Sequence, residues 1–184
     1  LGVNHKITND VKAQVKIYGF DMKDFFKQTR DVYVEKTGKE LKASNSPFVS
    51  ELPKDQAIKL METPGVFGAE SASLLMKPLN GARAARPDLC VAIQHLSSEV
   101  SRWSAECDRR LHKLYQYIHG SVDRTLKGSL SYAKGVTYKL NLWPDADLAG
   151  SPFTAKSVSG GFLELTDSLG NSFPIAWGCK KQDC

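Results

Sequence analysis

An α+β fold is predicted, with the helices first and the strands last, on three observations. Apolar residues recur at three- and four-residue steps through most of the first hundred positions. After about residue 125 the period changes to two. The chain of 184 residues, 41% hydrophobic, can also bury a real core.

The elements follow in order. "DMKDFFKQTRDVYVEKTG" places Met22, Phe25, Phe26, Thr29, Tyr33 and Lys36 on one side of a helix, with Gly38 as its C-terminal stop. "KASNSPFVSELPK" holds Pro47 and Pro53 among Ser and Asn and reads as an extended linker. A second helix is expected from Val66 to about Ala85, kinked or ended by Pro78 and weakened by Gly81. In "RPDLCVAIQHLSSEVSRW", Pro87 suits a first turn, Asp88 the positive end of the helix dipole, and Leu89, Ile93, Leu96 and Val100 form a buried stripe. In "SAECDRRLHKLYQYIHGSVD", Cys107, Leu111, Leu114 and Ile118 repeat that spacing, with Ser104 as N-cap and Gly120 ending the run. These last two helices are expected to pack as an antiparallel pair.

"VTYKLNLW" then alternates Val136, Tyr138, Leu140 and Leu142 against Thr137, Lys139 and Asn141, the pattern of a half-buried strand. "SVSGGFLELTD" and "SFPIAWG" supply two further strands, joined by a hairpin loop at "DSLGNS". The expected divisions are 1–65, a connecting region with one amphipathic helix and a Pro-containing linker; 66–130, helical; and 131–184, stranded.

Charge and cysteine usage narrow the function classes. The net charge of +5 tilts the chain toward polyanionic partners. It is concentrated in residues 102–139, where eight Lys/Arg stand against three Asp/Glu. Arg109 and Lys113 lie one helical turn apart, with Arg102 and Arg110 nearby. The cluster reads either as a solvated helix face or as a phosphate-contacting face whose affinity would depend on salt. Cys90, Cys107, Cys179 and Cys184 show no metal-ligand spacing and read as reduced thiols, pointing to an intracellular location, cytoplasm or nucleus. No apolar run is long enough to span a bilayer, and "LGVNHKITND" has no signal-peptide character. Starting at Leu1 and stopping at "KKQDC", the chain reads as a piece of a longer protein.

Several residues carry two readings. Asp145 and Asp147 follow the first strand pattern; Asp145 falls on its more polar side together with Trp143, while Asp147 reads as a turn residue beyond the strand. Ser157, Ser159 and Gly160-Gly161 offer either a phosphate cradle or, without a GxxxxGK pattern, a tight strand or bulge. Trp103 and Trp177 are either core aromatics or stacking surfaces for bases. His95, His112 and His119 show no metal spacing, and His95 reads as a surface or packing residue. Lys180 and Lys181 end the last strand either solvated or against a nucleic-acid backbone.

Three motifs in order carry a family resemblance. "ARPDLCVAIQHLSSEVSRWSAECDRRLHKLYQYIHGSVDRTLKGSL" resembles the "RPDL" helix, second helix and "YLKGT"-like end that follow the polymerase active site in copia-type retrotransposon Pol polyproteins. "LWPDADLAGSPFTAKSVSGGFLEL" resembles that family's "YSDADWAGD…KSTSGYVF", and "FPIAWGCKKQ" its "ISWKSKKQ". Together they cover about residues 83–182, and "SPFV" at 46–49 is a weaker match to a preceding "TP". Leu148, Gly161 and Pro144 depart from the pattern.

The resemblance implies a reverse transcriptase piece: helical thumb and connection, followed by the first three antiparallel strands of a truncated ribonuclease H-like sheet. In the full polyprotein that enzyme copies RNA to DNA and hydrolyses the RNA of RNA/DNA hybrids with two Mg2+ ions. By motif position Asp145 is the strand-borne metal ligand. Arg102, Arg109, Arg110, Lys113, Lys180 and Lys181 would contact nucleic acid. The implied partners are an RNA/DNA hybrid or other nucleic acid and the rest of the polyprotein, with no membrane. No "YxDD" signature occurs, and the glutamate-bearing helix expected after the third strand falls beyond Cys184, so this piece by itself is expected to be inactive. Two alternatives stay open: a non-catalytic nucleic-acid-binding remnant, and an unrelated intracellular α/β interaction domain.

Overall fold

The structure, a computed structural model, describes residues 2–147 and 157–182. Among these, five α-helices and two three-stranded antiparallel sheets give a mixed α+β fold. The chain divides into two units. One comprises Leu1–Asp21, Arg83–Pro87 and Thr125–Cys184; the other comprises Met22–Ala82 and Asp88–Arg124.

The helical unit grows from α1, Lys23–Thr37, which buries Phe26, Thr29 and Tyr33 and stops at Gly38. There φ is 65°, a left-handed geometry that glycine adopts without a Cβ clash, and the Gly38 N–H closes the helix on the Val34 carbonyl. The linker expected around Pro47 and Pro53 has no regular structure until α2, Lys54–Glu62. That helix fully buries no residue, and its apolar side of Ala57, Leu60 and Met61 is half-buried.

α3 begins at Ser71 rather than Val66 and runs to Ala85 straight through Pro78. A mid-helix proline has no N–H for the carbonyl four residues back. Here that carbonyl belongs to Leu74, and it accepts a hydrogen bond of 2.7 Å from the Tyr115 hydroxyl. Tertiary structure thus satisfies the acceptor that the proline leaves, and Pro78 does not end the helix.

The helix expected over residues 87–103 is broken. A 3-10 turn at Pro87–Leu89 leads into α4, Cys90–Ser97, and a second 3-10 turn spans Val100–Arg102. Leu89, Ile93 and Leu96 are buried as the stripe requires, but Val100 is only half-buried. The Ser98 hydroxyl donates to the His95 carbonyl at 2.8 Å, the local competition by which serine unsettles a helix end. α5, Ala105–Gly120, matches its pattern: Cys107, Leu111, Leu114 and Ile118 are all buried, and the Ser104 side chain caps the Cys107 N–H.

The stranded unit holds both sheets. β1, Asn4–Asp10, and β2, Val15–Asp21, form a hairpin where the sequence pattern indicates no element. Asp10 accepts from the Ala13 N–H in its turn, and Gln14 takes a positive φ of 54°. β2 pairs in turn with β3, Leu126–Ser131, far along the chain. The second sheet is a meander of β4, Tyr138–Asp147; β5, Val158–Asp167; and β6, Ser172–Lys181. These are the three strands that the period-two pattern indicates, with the expected hairpin between β5 and β6.

The two sheets meet at β3 and β6. Phe173 packs edge-on to Tyr18 and tilted against Phe20, and a Cβ on Gly128 would lie 2.7 Å from the Phe173 ring. Asp167 joins them with polar contacts, accepting from the backbone N–H of Ser131, Leu169 and Asn171. Burial pushes its pKa up, but these donors and the Asn171 amide outweigh that and hold it below the usual carboxylate value. The half-buried expectation for β4 is corrected: Tyr138, Leu140 and Leu142 are exposed, because among the described elements β4 packs extensively against β5 alone, its neighbour within the sheet.

Candidate nucleic-acid interface

The basic cluster expected to grip phosphate is built on α5, and the helix neutralises much of its charge internally. Glu106, in the first turn, is buried at 4% exposure. Arg109 clasps it in a fork, Nε to Oε2 at 2.7 Å and Nη2 to Oε1 at 2.9 Å. Arg110 adds Nε to Oε1 at 2.9 Å. Burial raises the Glu106 pKa, but the two guanidiniums overcome this and bring it below its ordinary value. Arg109 also reaches the Ser50 carbonyl at 3.3 Å, pinning the linker. Arg102 pairs with Glu99 at 3.0 Å. Lys113 is half-buried on the same helix. The sequence places Arg109, Arg110 and Lys113 together correctly on one helix; it does not show that Glu106 sits between two of them.

One residue before the Arg109-Arg110 pair, Asp108 organises the entry to α5. Its carboxylate accepts from the Val66 N–H at 2.6 Å, the Phe67 N–H at 3.2 Å and the Trp103 indole N–H at 2.7 Å. Beside it, the Gly65 N–H donates to the Trp103 carbonyl and the Ala105 N–H to the Thr63 carbonyl. A Cβ on Gly65 would fall 2.5 Å from the Ser104 carbonyl oxygen, so only glycine admits this approach. Trp103 is thereby a core residue. No apolar period marks Asp108, and the one available signal is a carboxylate in the first turn of a helix.

A second polar cluster lies deeper in the helical unit. The Tyr33 and Tyr115 rings stack at 4.0 Å, and the Tyr33 hydroxyl meets His112 Nδ1 at 2.9 Å. Burial raises Tyr33 to about 12 and raises Tyr115 as well, and burial together with the charge of Lys39 lowers His112. These shifts favour the neutral form of every ring. With Tyr115 already committed to Leu74, the cluster serves packing rather than proton transfer. A recess of about 450 Å3 beside it, lined by Val32, Leu74, Lys77 and Asn80 among others, brings no acid–base pair together.

Asp145 lies in β4, opposite Gly160, and its side chain is exposed. β4 continues through Asp147, which pairs with Val158, so Asp147 is a strand residue and not part of a turn. Trp143, the aromatic on the polar side, is also exposed; its indole N–H reaches Glu164 Oε1 at 2.9 Å. Pairing across the sheet places Lys181 opposite Val158, on the same face as Asp145, whereas Lys180 opposite Ser159 belongs to the other face. Gly160 and Gly161 are ordinary strand positions, and the register shift falls at Leu163/Glu164 instead. Trp177 is half-buried and stacks on Phe162. The central part of the second motif, residues 148–156 including Leu148, lies outside the described residues, as does Cys184. Cys90, Cys107 and Cys179 are not joined in disulfides.

Two-metal hydrolysis requires several carboxylates converging on the ions. Among the described residues no group of three or more His, Cys, Asp or Glu converges in that way. Asp145 alone does not make such a site. Among the described residues, no helix is long and apolar enough to cross a membrane. No protein-family model matches the chain, and no solved structure matches it.

Proposed function

We propose that this chain corresponds to the thumb–connection region and first ribonuclease H strands of a copia-type retrotransposon Pol polyprotein. In the full polyprotein it would help to hold RNA/DNA hybrids for an enzyme that copies RNA to DNA and cleaves the RNA strand with Mg2+. The observation that carries this reading is the order of three sequence motifs over about residues 83–182. The arrangement of elements supports it: a helix pair, α4 and α5, precedes an antiparallel meander whose first strand bears Asp145. The reading gives Arg102, Arg109, Arg110, Lys113, Lys180 and Lys181 to nucleic-acid contact. Asp145 is one Mg2+ ligand of the complete centre.

A second reading, a non-catalytic nucleic-acid-binding remnant, is favoured by the pairing of Arg109 and Arg110 with Glu106, which leaves that trio a net charge of only +1 from two cations and one anion. Titration of a labelled RNA/DNA hybrid at two salt concentrations tests both readings against the unrelated interaction domain. We expect binding that weakens as salt rises, with a shallow slope because few cations are free to displace counterions. No affinity even at low salt favours the interaction domain. With Mg2+ this chain alone is expected to leave the hybrid uncut; cleavage abolished by Asp145→Asn would show instead a working centre.

A further inference from the structure

We propose that residues 43–50 form a displaceable strap over the outer face of α5, and that a phosphate backbone reaches that face by displacing it. Arg109, Lys113, Gln116 and Gly120 follow one another at steps of four, three and four, which lines them up on the side of α5 opposite Leu111, Leu114 and Ile118. A helix side turned away from the core is ordinarily open to solvent. Here Arg109, Lys113 and Gln116 are half-buried instead.

The segment between α1 and α2 supplies the cover. It runs antiparallel to α5 and is held at one end by the Ser44 N–H, which donates to the Gln116 carbonyl at 3.2 Å. At the other end Arg109 Nη1 and Nη2 both donate to the Ser50 carbonyl oxygen at 3.3 Å. Between these anchors, residues 45–49 span the turn that carries Lys113. Gly120 lets the segment lie this close, since a Cβ there would fall 3.1 Å from Ala43 Cβ, Ser44 N and Ser44 O.

The attachment is weak, and it is made where an anion would bind. Both anchoring hydrogen bonds are at the long end of the ordinary range. Asn45, Ser46, Phe48 and Ser50 are exposed. The bonds from Ser44 Oγ to Ser46 O and from Phe48 N to Ser46 Oγ run within the segment, so it can lift as a unit. Ser50 O is a neutral acceptor facing two donors of one guanidinium, and a phosphate oxygen in its place makes a charge-assisted bond about twice as strong. A polyanion therefore favours the lifted strap, and the closed strap lowers the apparent affinity by the fraction of time it is open. This device rests on the nucleic-acid reading of α5 and adds that the face is closed at rest.

Binding of a labelled RNA/DNA hybrid to the whole chain, read together with amide hydrogen exchange, tests it. Ala43→Cys combined with Gly120→Cys sets two thiols at adjoining Cβ positions, so that oxidation locks the strap and reduction frees it. The native chain, carried through the same oxidation, controls for its own thiols. We expect the oxidised variant to bind about tenfold more weakly than the same protein reduced. Gly120→Ala, which crowds the strap and alters no cation, should bind several-fold more tightly than the native chain and exchange its Ser44 amide faster. Saturating hybrid should speed Ser44 exchange in the native chain as well. Hybrid binding that ignores the lock, or a Ser44 amide equally protected with and without hybrid, would overturn the strap and leave the nucleic-acid reading standing. No affinity in any form at low salt, Gly120→Ala included, would overturn both.

Discussion

Pro78 and Tyr115 depend on each other through one carbonyl oxygen. Tyr115→Phe removes the hydroxyl from Leu74 O and leaves a buried acceptor unpaired, so the variant should lose about 1–3 kcal/mol of stability. In a Pro78→Ala background the restored helical N–H can take that acceptor, and the cost of Tyr115→Phe should shrink; chemical denaturation of the four combinations measures the coupling. Equal losses in both backgrounds would refute the dependence. Glu106 behaves similarly under two guanidiniums. Glu106→Gln should cost about 1.5–3 kcal/mol, the range for hydrogen bonds to charged groups, while Arg110→Ala should cost less because Arg109 keeps its fork.

Acid sensitivity follows from the same residues. Glu106 and Asp167 both have folded-state pKa values below their ordinary ones. Each therefore adds stability that is fully present above the unfolded pKa, about 4.3 and 3.9 respectively, and is lost as pH falls through the lower folded value. Thermal unfolding should show an acid limb beginning below about pH 4.5, and Asp167→Asn should flatten part of it.

Among the elements, α3 shows how packing overrides propensity. Gly81 sits inside the helix, where alanine is the better helix former by about 1 kcal/mol. A Cβ there would lie 2.3 Å from Phe26 Cζ, so the glycine is what lets α1 and α3 approach. Gly81→Ala should consequently destabilise by about 1–3 kcal/mol despite its propensity gain, and Phe26→Leu should relieve part of the penalty. In the sequence Gly81 is legible only as a weak point, because its partner lies far back along the chain. Gly38, whose job is local, is legible at once, as is the Ser104 cap. β4 is the opposite case: its alternation is visible, but alternation cannot show whether another layer packs on either face, and here both sets of side chains are exposed.

At the scale of the whole molecule, the two ends of the chain fold together. β2 pairs with β3 from Val15↔Ser131 to Phe20↔Leu126, and Tyr18 and Phe20 pack on Phe173. Removing residues 1–21 should strip β3 of its only described partner strand and lower amide protection in β3 and β6 by hydrogen exchange, while the helical unit keeps its own core. Protection unchanged in β3 would mean that the sheet does not need the N-terminal hairpin.

By itself the sequence determined the α+β class, the stripes of α1 and α5, the Gly38 stop, the three C-terminal strands and the basic character of residues 102–139. All of these depend on interactions within a few residues or on periodicity along one element. Tertiary structure alone decided the pairing of β2 with β3, the passage of α3 through Pro78, the exposure of β4 and the sharing of Glu106 between two arginines. Each of those depends on which distant atom arrives at a given donor, acceptor or face. A local pattern records that a group must be satisfied or buried, and only the folded chain determines what satisfies or covers it.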